Sequence, residues 1–188
     1  MPRALSFRPS LTFRGRKFKG LRGFAGKPFH PPLTDVPVGA YVLAPAFDVI
    51  SYLGREQEWA REFYRAGTFV LVGGALVSVL AVVTGFWDWL KSTKKGTQAR
   101  RTVNAHAWTM VMVTVLVVVD LVLRMSTYDH IGHTPGRVMV VSLGVFLLTT
   151  IGGTIGGGLA YDYGFNVETA GDHPVWHESE VDVLPGQH

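Results

Sequence analysis

Two histidines and four aspartates are the side chains of this 188-residue sequence best placed to do chemistry within apolar surroundings. His30 and Asp35 open its first apolar segment, Asp88 closes the second, and His106 lies early in the third. Asp48 and Asp120 fall toward the opposite ends of the first and third segments. His106 and Asp120 are 14 residues apart, close to four turns of helix, so they share one helix face. Imidazoles from two different helices could ligate a haem iron between them, which makes His30 and His106 cofactor-binding candidates with haem b as the group. His30, His106 and Asp88 could instead hold a divalent metal. A third reading has the histidines cap helix ends or bond to lipid headgroups. Asp48 and Asp120 are candidates for a shared proton, or for a pair with a nearby Arg or Tyr, because ionisable groups in a bilayer are costly unless paired or hydrated. His130 and His133 have ligand-like i, i+3 spacing, but Gly132 and Pro135 place them in a loop. The spacings assemble no nucleophile elbow, phosphate-binding loop or catalytic carboxylate pair, which argues against hydrolysis or group transfer.

The elements that must position these groups are membrane spans. Ala66–Trp87 (AGTFVLVGGALVSVLAVVTGFW) is a run of 22 residues without charge or proline. At 1.5 Å per residue it covers about 33 Å of helix, enough for a hydrocarbon core of about 30 Å. Asp88, Trp89 and Lys91 follow it as an aromatic and charged edge of the headgroup type. Three more spans are expected at Leu33–Leu53, Thr102–Leu123 and 138–161. The first is the least hydrophobic and carries Asp35, Asp48, Pro37 and Pro45, so it should pack inside the bundle, where neighbours can satisfy the backbone groups freed by proline. Between spans one and two, residues 54–65 balance three Arg against three Glu and read as a short amphipathic connection. The expected fold is all-α, an integral membrane four-helix bundle.

Charge orients it. Residues 1–30 carry eight Lys/Arg and no acid, and 91–101 carry five cations, whereas 54–65 and 124–137 are nearly balanced. The positive-inside rule then puts both termini and the middle loop in the cytoplasm. His30, Asp35, Asp88 and His106 become an inner-edge polar cluster, with Asn104 and Asp162 at similar depth. Asp48 and Asp120 become outer-edge acids. The chain divides into a basic arm (1–30), a four-span domain (31–161) and an acidic tail (162–188). The arm interleaves Phe7, Phe13, Phe18, Leu21 and Phe24 with its cations, as suits anionic headgroups or an acidic partner subunit. Neither tail has a long apolar face of its own, so both are expected to be fixed by a partner. Apolar residues make up 47% of the chain and its mean hydropathy is +0.22, a membrane composition rather than a nucleic-acid-binding one despite the net charge of +4. No cysteine is present, so this chain itself can hold no disulfide, thiolate zinc site or iron–sulfur cluster.

The fourth span is rich in glycine. Gly152/Gly156 and Gly153/Gly157 are both small-xxx-small pairs, which let a neighbouring backbone approach closely. An unwound binding site is the other use such a run could have. No tandem repeat is visible.

Three stretches carry a resemblance: GKPFHPPLTDVPVG (Gly26–Gly39), GFWDWLKSTKKGTQARRTVNAH (Gly85–His106) and GGGLAYDYG (Gly156–Gly164). In order and spacing they resemble the bacterial membrane family known as domain of unknown function 2231, over about residues 26–167. The resemblance implies four spans, and it matches His30, Asp35, Asp88 and His106 to family positions. Relatives are often fused to, or encoded beside, a Rieske iron–sulfur domain, which implies electron transfer at the membrane. Many also have a histidine where Gly158 or Tyr163 stands here, so this chain departs from the pattern in span four. The expectation is a non-catalytic integral subunit of a respiratory or photosynthetic electron-transport complex in the bacterial cytoplasmic membrane. It would pack partner helices and dock through its charged tails, with a Rieske-type or quinone-linked protein as partner. The alternative is a haem-b-type carrier between quinol and an iron–sulfur partner, and a small transporter built on Asp48, Asp120 and the glycine run comes third.

Overall fold

The computed structural model describes residues 29–91 and 94–165, so the basic arm and most of the acidic tail lie outside the described residues. Four helices run α1 (His30–Leu53), α2 (Ala60–Lys91), α3 (Gln98–Met125) and α4 (Gly136–Tyr161). Each is long and apolar enough to cross a membrane. Large apolar side chains such as Phe69, Leu76, Val83, Val122 and Leu147 remain exposed on the outside, as suits a bundle solvated by lipid.

Local chemistry sets the ends. Pro31 and Pro32 open α1, where a missing backbone N–H costs nothing. Gly54 ends it by donating its N–H to the Ile50 carbonyl at 2.9 Å, and the Trp59 ring covers that glycine so closely that a side chain there would clash. Thr97 caps α3, its hydroxyl accepting the Arg100 N–H at 3.2 Å, after Gly96 turns the chain at φ 82°. All four helices extend beyond the expected spans, and two of the extensions matter for the site. The connection at 54–65 shortens to 54–59, because Ala60–Arg65 already belong to α2. At the far end of α3 the helix continues to Met125, which takes Arg124 out of the loop and into the bundle.

The helices run up, down, up, down. α1 packs against α2 and α4, and α3 packs against α4 and α2, so α1 and α3 stand on one diagonal. Ala40, Tyr41, Ala44, Leu71, Val113, Val117 and Val145 form the central core. α1 is the most buried of the four, with Pro37 and Pro45 both on its buried face. One end of the bundle gathers the starts of α1 and α3, with the ends of α2 and α4; we call it the chain-end side, and the other the loop side.

The two helical hairpins share one interior register. Pro37, Tyr41, Ala44 and Asp48 of α1 are buried, and so are the residues 76 positions later in α3: Val113, Val117, Asp120 and Arg124. Gly67, Leu71, Gly74, Ala81 and Asp88 of α2 are likewise matched, 71 positions later in α4, by Val138, Ser142, Val145, Gly152 and Leu159. The bundle is thus two equivalent hairpins about a pseudo-two-fold axis. A repeat is present after all; it escaped the sequence because burial is repeated while most residue types are not.

Candidate cofactor site

Two histidines occupy equivalent places in the two halves. His30 is the first residue of α1, and His106 lies 76 positions later in α3. The His30 ring rests on Gly85 of α2, where a Cβ would come within 2.6 Å of its Cε1. The His106 ring rests on Gly156 of α4, where a Cβ would come within 3.1 Å. A side chain at Gly85 would force the ring to shift, and one at Gly156 would crowd it. One turn before each glycine a carbonyl receives the ring: His30 Nδ1 is 2.9 Å from the Ala81 oxygen, and His106 Nδ1 is 2.9 Å from the Gly152 oxygen.

These contacts fix the chemistry of both rings. A carbonyl oxygen only accepts, so Nδ1 carries the proton and donates it, and in the neutral ring Nε2 keeps its lone pair. A backbone carbonyl on Nδ1–H is the usual support of an imidazole that ligates metal through its other nitrogen. Both rings are half-buried, and they lie within electrostatic reach of one another. Thr84 adds one asymmetry, its Oγ1 lying 3.4 Å from His30 Nδ1 while its hydroxyl donates to the Leu80 carbonyl at 2.8 Å.

The other inner-edge candidates divide. Asp88 is buried at the end of α2, one turn beyond Thr84, whereas Asp35 is exposed on α1. Asn104 accepts the Trp89 indole N–H at 2.7 Å and pins α2 to α3, with Trp108 edge-on to Trp89 at 5.7 Å. Asp162 is exposed. Among the described residues no three His, Asp or Glu side chains converge in a way that could hold a metal, so the divalent site expected from His30, Asp88 and His106 is not assembled. Loop residue His130 is exposed and His133 half-buried.

A second constellation lies toward the loop side. The fully buried Arg124 joins Asp48 and Asp120, which are themselves wholly buried. Its Nε donates to Asp120 Oδ1 at 2.9 Å, one terminal nitrogen donates to Thr68 Oγ1 at 3.0 Å, and the other bonds Asp48 Oδ2. Asp48 also accepts the Ser142 hydroxyl at 2.6 Å and the Thr134 hydroxyl at 3.2 Å. Below the guanidinium the Tyr64 ring stands 5.6 Å away, its OH bonded to Thr127 at 2.7 Å. Arg124 thereby ties α1, α2 and α3 together. Sequence reasoning had paired the acids only with an unnamed Arg or Tyr; the i, i+4 spacing of Asp120 and Arg124 was the signal that could have named it.

Only one of the two glycine pairs in α4 packs against another helix of the chain. A Cβ on Gly152 would meet Met110 Sδ at 2.6 Å, and Gly156 bears His106. Among the described residues Gly153 has nothing within 4 Å, and Gly157 meets only Tyr161 of its own helix at 4.0 Å, so that pair packs against no other described helix. Glycine contacts also lie in α2, where a Cβ on Gly74 would meet Ala40 at 2.4 Å and one on Gly67 would meet Phe47 and the Ala44 carbonyl at 3.3 Å.

The family described as predicted membrane protein (DUF2231) matches residues 26–169. No curated protein and no solved structure matches the chain. The chain belongs to that family.

Proposed function

We propose that this member of the DUF2231 family is an integral subunit of a membrane electron-transport assembly, and that it carries electrons itself on a b-type haem held by His30 and His106. The observation that supports this is the pair of rings. Each comes from a different hairpin, each has Nδ1–H committed to a carbonyl, and each keeps Nε2 for a ligand. Pseudo-two-fold placement suits a group that would be held by one imidazole from each hairpin. Gly85 and Gly156 would let the rings rest close against α2 and α4. When bound, the haem would supply a one-electron couple that needs no other bond to form or break.

These residues include no cysteine, so a cluster exchanging electrons with the haem would have its thiolate ligands elsewhere. A quinol and an iron–sulfur or Rieske-type partner are the natural pair. By the positive-inside rule the histidines lie toward the cytoplasmic face of a bacterial inner membrane, with both termini on that side. The basic arm would meet anionic headgroups there. A packing role alone is the second reading, favoured by Gly153 and Gly157, whose small-xxx-small face is left open to a partner helix.

A reduced-minus-oxidised visible spectrum of full-length protein, purified from haem-replete cells, decides between them. Soret and α bands that disappear in both His30→Ala and His106→Ala are expected. Folded wild-type protein without those bands, after haem reconstitution, overturns the carrier and leaves the packing subunit.

A further inference from the structure

We infer that the Asp48–Arg124–Asp120 cluster is a proton-binding site, with one proton held on Asp120. The inference stands apart from the histidine pair and rests on the balance of charge and donors within the cluster. Asp48 and Arg124 occupy equivalent positions of the two hairpins and meet across the axis as a neutral pair. Asp120 is the surplus: its counterpart in α1 is Ala44, which is equally buried.

Every neighbouring element fails to balance it. α1 supplies Asp48, of the same sign. α2 supplies the uncharged Tyr64 and Thr68, and the Thr68 hydroxyl proton goes to the Tyr64 carbonyl at 2.8 Å. α4 supplies Ser142, and the loop supplies Thr134, both committed to Asp48. Arg124 is the one cation among the described residues that pairs with these acids. Donors are short as well. Asp48 has three, whereas Asp120 Oδ2 receives only a 3.4 Å contact from the same Arg124 nitrogen that bonds Asp48. With both acids ionised, a net negative charge and a poorly served carboxylate oxygen would be buried with no compensating protein group among the described residues.

A proton taken from water or buffer on the loop side, and placed on the Asp120 carboxylate, removes the excess charge and breaks no other bond. A small metal cation would remove it too, but it would have to sit against a guanidinium that already occupies the space between the acids.

Infrared spectroscopy of the full-length protein in vesicles, labelled with 4-¹³C-aspartate, tests this. A protonated-carboxyl C=O band should be present near pH 6, where ordinary carboxyls are ionised. It should shift with the label, vanish in Asp120→Asn, survive in Asp35→Asn, and be indifferent to exchange of sodium for potassium. Absence of a labelled band, its survival in Asp120→Asn, or its loss on adding sodium would each overturn the inference. Should Asp120→Asn fail to fold, Asp120→Ala, which makes the position match Ala44, takes its place: the labelled band should be lost there and kept in Asp88→Asn, and the opposite pattern overturns the inference.

Discussion

Replacing Arg124 with Met is the sharpest test of how the bundle is held together. The substitution keeps length and apolar stem but removes the guanidinium that serves Asp48, Asp120 and Thr68 at once. Asp48 would keep Ser142 and Thr134, whereas Asp120 would keep no charged partner. Breaking one side of a buried ion pair costs about 3–5 kcal/mol, because the remaining charge is left uncompensated. Ordinary interhelical hydrogen bonds in membrane proteins average only about 0.6 kcal/mol. The charge term therefore dominates, and we expect a loss of about 3–5 kcal/mol in a reversible denaturant titration in mixed micelles. The control is Asp48→Leu with Asp120→Ala and Arg124→Met, which empties the site of charge and makes position 120 match Ala44. It should recover most of that loss, since apolar replacement of a whole buried ionic cluster is often neutral. A loss below about 1 kcal/mol for Arg124→Met alone, or a triple variant no better than the single one, would refute the reasoning.

Other outcomes follow from the same contacts. Gly156→Leu and Gly85→Leu should each displace a histidine ring and abolish the haem bands proposed above, while helix content by circular dichroism stays near wild type, because the new side chain meets a ring rather than backbone. Gly153→Ala should be neutral or stabilising by about 0.5–1 kcal/mol in the same titration, whereas Gly152→Ala should be destabilising, since only the latter Cβ meets another helix. Reporter fusions at residues 1 and 188 should both behave as cytoplasmic; a translocated C-terminus would overturn the orientation. Deleting residues 1–25 should leave membrane insertion intact and weaken co-purification of partner subunits.

Much of this architecture was legible because the bilayer writes it in composition. Runs such as Ala66–Trp87 announce a span by length and lack of charge, and four of them fix an all-α bundle. Helix ends were less legible where polar residues continue a helix past its apolar core, as Ala60–Arg65 do at the start of α2 and Arg124 does at the end of α3. Arg124 looked like a loop cation because hydropathy weighs a residue alone, while its burial depends on an acid one turn back and another on the diagonal helix. Glycines show a similar limit: the dense cluster in α4 is conspicuous, but which of its members meet another helix of the bundle, and that Gly74 of α2 abuts Ala40, depend on how the helices pair. Depth could be read for His30 and His106, but not the carbonyls at Ala81 and Gly152 that fix their tautomers, since those depend on how helices pair.

The pseudo-two-fold register explains why the two constellations differ in kind. Equivalent residues near the axis are brought toward one another, so what a symmetric bundle can keep there depends on charge. Neutral rings can be alike: each of His30 and His106 finds its own carbonyl and its own glycine on its own hairpin, and neither needs the other to be satisfied. Buried charges cannot be alike, because two carboxylates or two guanidiniums meeting in a dry interior would repel without relief. At the position 18 residues further along, the halves therefore differ, Asp48 in one and Arg124 in the other, and each is the partner of its own counterpart. One turn earlier the difference is Ala44 against Asp120, an acid with no opposite number. Symmetry is kept where two neutral rings can be satisfied alike and broken where equal charges would be unstable. The single charge left over by that breaking is the one to which we assign the proton.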